Sequence, residues 1–330
     1  MSRRIILDKS FLQAEARNCN RLRLLREAGY TFVVIDTLAY EFSTGRGAQE
    51  WGVAQRKLFE FSDHVEIWTH IGELLRKEVR MGVPTASPID DDLTYRMREL
   101  WKNGNVAVAS EGDPAIQRSR AEREVDSTDA MADECRNFSV SYPEYAREVK
   151  RRVGAGIDVG PLFVDLLHNE KLIQAFVRRD HGDPADREVY IVGAESGLNH
   201  EWLAYRLQRS HLAAKLLFMM KYEVGTRLGK EFINTKLDFD YIEALHFADA
   251  IATNETSGSL GLVCDWLYGP SKPRISTNFI DGVMPSEQSI RERAFFLWEC
   301  SGRRAGDDLA HWLEAELLAK RLAWPQLLPM

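Results

Sequence analysis

Two short β-branched runs constrain this chain more than any other feature. "RRIILD" at 3–8 and "TFVVID" at 31–36 each end in an acid, and the segment between them repeats leucine and alanine at helical spacing before stopping at Gly29, a natural C′ residue. A strand, a helix and a second strand within about 35 residues make a parallel βαβ unit. Continuous apolar runs, rather than alternation, belong to strands covered on both faces. The expected fold is therefore α/β, a parallel sheet flanked by helices.

The rest of the chain extends that unit unevenly. "HVEIW" at 64–68 and "DAIATNE" at 249–255 read as further strands, the second ending in Thr253, Asn254 and Glu255. After "TFVVID", Asp36 or Thr37 caps a helix that carries Glu41 one turn in. From about 90 to 130 the chain is charged and punctuated by Pro and Gly ("SPIDDD", "SEGDPAIQRSRAEREVDSTDA"), which predicts a mobile surface excursion. Residues 138–235 are helical in pattern, broken by "RRDHGDPADR" and by "VYIVGAESG", a brief strand or buried helix start. "HEWLAYRLQRSHLAAKLLFMMKYEVGTRLG" reads as the strongest amphipathic helix. In "LDFDYIEALHFADAIATNET", Asp238 or Asp240 is expected to cap a helix over "YIEALHFA". The organisation predicted is an α/β domain over 1–268 with a mostly helical insertion at about 90–235, a Pro-bearing linker over 269–285, and a C-terminal helical hairpin over 286–330 that turns at "SGRRAGDD".

Composition narrows the function classes. No apolar run approaches the roughly 18 residues of a membrane span, and "MSRRIILDKS" has neither the apolar stretch nor the cleavage site of a secretory signal, so a cytoplasmic protein without a membrane partner is expected. Cys19, Cys135, Cys264 and Cys300 are scattered without metal-ligand or disulfide spacing. A net charge of -7 argues against indiscriminate coating of nucleic acid but leaves room for local basic clusters: Arg17, Arg21, Arg23 and Arg26; Lys150, Arg151 and Arg152; Arg178 and Arg179. Any one of these reads equally as a solvated helix face. "GAGIDVG" at 154–160 lacks the preceding strand and spacing of a dinucleotide fingerprint, and no Walker, HExxH or GxSxG motif is present.

The acids carry the chemistry. Asp8, Glu41, Asp240 and Glu255 come from separate elements, and a parallel sheet can bring them to one edge, outside the strand ends where open α/β sheets bind ligands. Carboxylates gathered there repel one another unless a cation neutralises them. The matching ion is Mg²⁺ or Mn²⁺, and the reaction implied is hydrolysis of a nucleic-acid backbone.

"IILDKSFL" followed by "YTFVVIDTLAYEFS" resembles the opening of the PIN-domain nucleases, and "DYIEALHFADAIATNET" resembles their second half, where an Asp opens a helix and a later strand ends in a Thr-Asn-Asp-like triplet. The resemblance covers about residues 3–61 and 236–268. It implies a PIN-like fold in which Asp8, Glu41 and Asp240 hold metal, with Glu255 as the fourth acid where Asp is usual and Asp238 as the alternative third. Ser10 and Thr253, with Asn254 beside them, would support the acids. It further implies an endoribonuclease, toxin-like or defence-related, with RNA as its partner and homodimers common. The tail, "SIRERAFFLWECSGRRAGDDLAHWLEAELLAK", is similar to a short bacterial domain of unknown function through Arg293, Ala294, Trp298, Glu299, Gly302, Arg303, Gly306, Asp308, Trp312, Ala315 and Glu316. It offers a surface for a protein partner.

Two other readings stand beside the nuclease. The Glu255 departure and the negative charge suit a catalytically degenerate PIN-like scaffold, and the same acids in a closed pocket would suit a metal-dependent phosphohydrolase of a small molecule. Residue by residue, Asp8 could merely cap a helix, Glu41 and Glu243 could be solvated, and Asp249 reads as a turn or cap.

Overall fold

The structure, a computed structural model, describes residues 3–44, 48–107, 128–180, 199–222, 230–255, 258–301, 308–323 and 325. Five strands, β1 (Arg3–Leu7), β2 (Tyr30–Val34), β3 (Val65–Ile67), β4 (Ala250–Ala252) and β5 (Arg274–Ile275), form one sheet in the order β3-β2-β1-β4-β5, every pairing parallel. The chain winds outward from β1 through β2 to β3, then returns to the other side of β1. The switch point of the sheet therefore lies between β1 and β4.

The helices before the long insertion are α1 (Lys9–Ala14), α2 (Asn20–Glu27), α3 (Asp36–Thr44), α4 (Ala48–Leu58), α5 (Ile71–Met81) and α6 (Asp91–Lys102). Next come α7 (Thr128–Ser141), α8 (Pro143–Gly154), α9 (Gly160–Leu167), α10 (Glu170–Asp180), α11 (Leu203–Lys221) and α12 (Lys230–Ala244). α13 (Ser259–Tyr268), α14 (Thr277–Val283), α15 (Glu287–Cys300) and α16 (Asp308–Ala323) complete the chain.

Because successive strand residues point to opposite faces, β1 supplies two cores. Ile5 and Leu7 join Phe32, Val34, Ala250 and Ala252 under Phe11, Leu25 and Trp101, whereas Ile6 joins Val33 and Ile251 under Leu212, Leu216, Ile242 and Val263. The connection from α2 into β2 is tight, and Gly29 makes it at φ +92°, a conformation an L side chain rarely adopts.

Three expectations are corrected. α11 is not amphipathic: 12 of its 19 residues are buried, because it covers the sheet on one side and carries α7 to α10 on the other. The helical middle of the chain thus shares the core of the sheet. The start of the supposed excursion at 90–130 is α6, which Asp90 caps by accepting from Leu93 N–H at 2.8 Å, with Asp91 and Asp92 in the first turn; the run of acids is a helix start. Residues 108–127, and "VYIVGAESG", lie outside the described set. Finally, residues 269–285 are not a linker, since β5 pairs with β4 and α14 follows it directly.

A buried acid joins α5 to α11. Glu78, 1% exposed, accepts from the N–H groups of Leu203 and Ala204 at 2.8 and 2.9 Å and from Thr85 N–H at 3.0 Å, so its charge sits at the N-terminus of α11, where the helix dipole favours it. The C-terminal hairpin has its own small core of Ile290, Ala315 and Ala319, closed by Ala294, Leu297 and Trp312. Trp312 packs there, whereas Trp298 lies against Phe295 with ring centres 5.7 Å apart. Among the described residues no helix is long and apolar enough to cross a membrane.

Candidate active site

The end of β1 delivers Asp8 to the switch point, and the end of β4 delivers Thr253 beside it. Asp8 is 6% exposed; its Oδ2 accepts from the Thr253 hydroxyl at 2.7 Å and from the Ser10 hydroxyl. Burial pushes the Asp8 carboxyl above its ordinary range, opposed by those two hydroxyls and by the first backbone N–H groups of α1. Thr253 Oγ1 accepts in turn from Glu255 N–H at 3.0 Å, which fixes the turn that follows β4.

Asn254 is a clamp. Its backbone N–H donates to Ser10 Oγ at 2.9 Å and its side-chain amide to Ser10 O at 3.1 Å, while its Oδ1 accepts from both the N–H and the hydroxyl of Thr277 at 2.9 Å. It locks the ends of β1, β4 and β5 together. The Thr-Asn pair thus builds the edge on which the acids sit.

Glu41 rises from α3, one turn in, to the same edge. Its Oε2 accepts from the buried Tyr241 hydroxyl at 2.6 Å, and its carboxyl is pushed up to about 7 by burial first, with the charges of Asp8 and Glu255 adding. Tyr241 and Lys9, whose ammonium donates to Glu41 O at 2.8 Å, oppose that rise. Glu41 is not a solvated helix residue.

Of the two candidates for the third acid, Asp238 lies with the others and Asp240 does not. α12 runs from Lys230 to Ala244, so neither Asp238 nor Asp240 caps a helix over "YIEALHFA"; both lie inside one. Residues two apart on a helix face different ways, whereas residues three apart share a face. Asp238 therefore shares a face with Tyr241 and reaches the acid edge, where its carboxyl is pushed up to about 8 by burial first and then by Glu255, Asp8 and Glu41, with Lys221 opposing. Asp240 points elsewhere. Its Oδ2 accepts from Thr37 Oγ1 at 2.7 Å, and it lines a separate recess of about 200 Å³ beyond β2 and β3, with Asp36, His70, His211 and Glu243. Glu243, for which a solvated helix face is one reading of the sequence, has a side chain only 12% exposed and lies 3.6 Å from His211. Asp249 behaves as read, accepting from Arg4 N–H at 2.8 Å at a turn.

Glu255 is the exposed member of the set. Its carboxyl is raised by the surrounding protein and by the Asp8 charge. The electrostatics thus tie together Asp8, Glu41, Asp238 and Glu255, from β1, α3, α12 and the turn after β4. Tyr241, Lys9 and Lys221, none singled out from the sequence, border them. A helical reading of "LDFDYIEALHF" would have paired Asp238 with Tyr241.

Four carboxylates are hard oxygen donors, of the kind Mg²⁺ and Mn²⁺ take. Among the described residues, however, no three His, Cys, Asp or Glu side chains are drawn close enough to hold an ion. Asp8 and Glu41 are instead turned to the hydroxyls of Ser10, Thr253 and Tyr241. The donor chemistry fits a divalent cation; the carboxylates would have to close on it.

Parallel strands, helices on both faces and acids at the switch point define an α/β protein with its candidate site at the carboxyl edge of the sheet. Within the chain, residues 285–320 match the model of a family described as "Protein of unknown function (DUF2934)", in agreement with the likeness read in the C-terminal hairpin. No curated protein and no solved structure matched the chain.

Proposed function

We propose that this protein is a Mg²⁺- or Mn²⁺-dependent nuclease, an endoribonuclease of PIN-like type, with Asp8, Glu41, Asp238 and Glu255 as its acids. The observation that carries the reading is four carboxylates gathered at the switch point, each pushed above its ordinary range by burial first, with neighbouring acids adding for Glu41, Asp238 and Glu255. Grouped acids whose proton affinity burial and neighbouring charge raise together are characteristic of functional sites. A bound divalent cation would supply the charge that lets them ionise together and that stabilises the negative charge building on an attacked phosphodiester.

The chain's own groups have separable tasks. Ser10 and Thr253 hold Asp8 in one orientation, and Asn254 holds the turn that presents Glu255. Glu41, pushed up to about 7 by burial without metal and steadied as a carboxylate by Tyr241, would be held ionised once a cation sits beside it. Lys9 and Lys221 border the acids and would meet the phosphates on either side of the cut.

Cleavage of labelled single-stranded RNA and DNA with Mn²⁺, Mg²⁺ or EDTA tests this. Metal-dependent cutting should be lost in Asp8→Asn and Asp238→Asn, by about a hundredfold or more, and kept within a few fold in Asp240→Asn. Loss in Asp240→Asn with retention in Asp238→Asn would overturn the assignment. A second reading, a scaffold that has kept the fold without the activity, draws on the commitment of Asp8 and Glu41 to internal hydrogen bonds. Absence of cutting in every condition, with no metal-induced shift in melting, would favour it.

A further inference from the structure

A cleft of about 780 Å³ opens between α7, α8 and the end of α11. Its charged lining is Arg147, Lys150 and Arg151, with no acid among the lining residues, on a chain whose net charge is -7. Its floor is Val140, Met219 and Tyr222, apolar or aromatic; Val140 is 62% exposed, and Tyr222 lies against Phe218 with ring centres 5.3 Å apart. Arg147 and Arg151 pair with Glu144 and Glu148 at 2.6 and 2.8 Å, but these pairs are solvent-exposed and so weak enough for a phosphate to displace. Of the other basic clusters, Arg21 and Arg23 pair in the same way with Asp281 and Glu60, and the side chains of Arg178 and Arg179 lie outside the described set.

We infer that this cleft binds a single strand of nucleic acid, its phosphates on Arg147, Lys150 and Arg151 and its bases over Tyr222 and the apolar floor. Cations along one wall and an aromatic ring on the floor are the two elements that sequence-tolerant single-strand binding needs. Lys221, the residue next to Tyr222, donates to Ser259 Oγ at 2.9 Å and its charge acts on Asp238. The identity of the occupant rests on the nuclease reading; the binding does not require cutting.

The test is fluorescence anisotropy of a labelled oligouridylate and oligothymidylate with the full chain in EDTA, over about 50 to 200 mM salt. The variant Arg147→Ala/Lys150→Ala/Arg151→Ala is compared with wild type and with Arg76→Ala/Lys77→Ala/Arg80→Ala, which removes the same charge from α5. Cooperative thermal unfolding confirms that both are folded. The cleft variant should bind about tenfold more weakly or worse, and the slope of log K against log salt should become shallower by about 2, three contacts at roughly 0.7 each. The α5 variant should stay within about twofold. Equal loss in both variants, no loss in the cleft variant, or no binding by wild type would overturn the inference. So would a polyglutamate peptide that binds wild type as tightly as the oligonucleotide, which would make the cleft a dock for acidic protein. Metal-dependent cutting with unchanged binding in the cleft variant defeats the cleft alone; cleft-dependent binding without cutting defeats the nuclease alone.

Discussion

Replacing Asp238 by asparagine keeps the size of the side chain and removes the carboxyl whose proton affinity the fold raises most clearly, from an ordinary 3.8 to about 8. In the folded, metal-free protein that carboxyl holds a proton which the unfolded chain has already released above pH 4. Unfolding therefore releases a proton, and raising the pH favours unfolding. The penalty begins as pH rises through 3.8 and is complete above about 8. At 1.36 kcal/mol per pKa unit it is below about 1 kcal/mol at pH 4, about 4 at pH 7 and about 6 above pH 9. These are ceilings for one group, because Glu41 and Glu255 share the repulsion. Urea unfolding of wild type and Asp238→Asn in EDTA, from pH 4 to 9, reads the difference directly. The variant should be the more stable protein, by a margin that widens with pH to several kcal/mol. The difference curve reports Asp238 together with the acids it couples to and cancels the carboxylates elsewhere in the chain. A flat curve, or one that narrows as pH rises, would refute both the burial of this carboxyl among acids and its selection over Asp240. Repeating the series with Mn²⁺ should narrow the gap at high pH, since an ion that binds only the folded wild type stabilises it by mass action.

Two further outcomes follow from single contacts. Tyr241→Phe removes the hydroxyl that steadies the Glu41 carboxylate at 2.6 Å; the rising limb of a cleavage pH profile should move to higher pH by about half a unit or more, with the fold intact by circular dichroism. Glu78→Ala leaves the N–H groups of Leu203, Ala204 and Thr85 without their acceptor, which should cost about 3 kcal/mol or more in urea unfolding, whereas Glu78→Gln, keeping one acceptor oxygen, should cost less.

Local chemistry alone determined the frame of this protein. Apolar runs long enough for one strand buried on both faces, the first two separated by a helical pattern, fit a parallel sheet covered by helices, so β1 to β4 were legible, and Asp8, Ser10 and Thr253 with them. The terminal hairpin was legible for a similar reason, because its alanines and Trp312 recur at helical spacing. β5 was not, since two residues bordered by Pro and Ser carry no period and become a strand only by pairing with β4. Nor was the role of α11: an apolar helix looks amphipathic until its neighbours bury the remaining sides. The choice between Asp238 and Asp240 belonged to the tertiary structure entirely. Both are acids two residues apart, and only the rotation of α12 against α3 and the end of β1 sends one towards Glu41 and Asp8 and the other to Thr37. Sequence spacing fixes which residues share a helix face, but packing fixes where that face points.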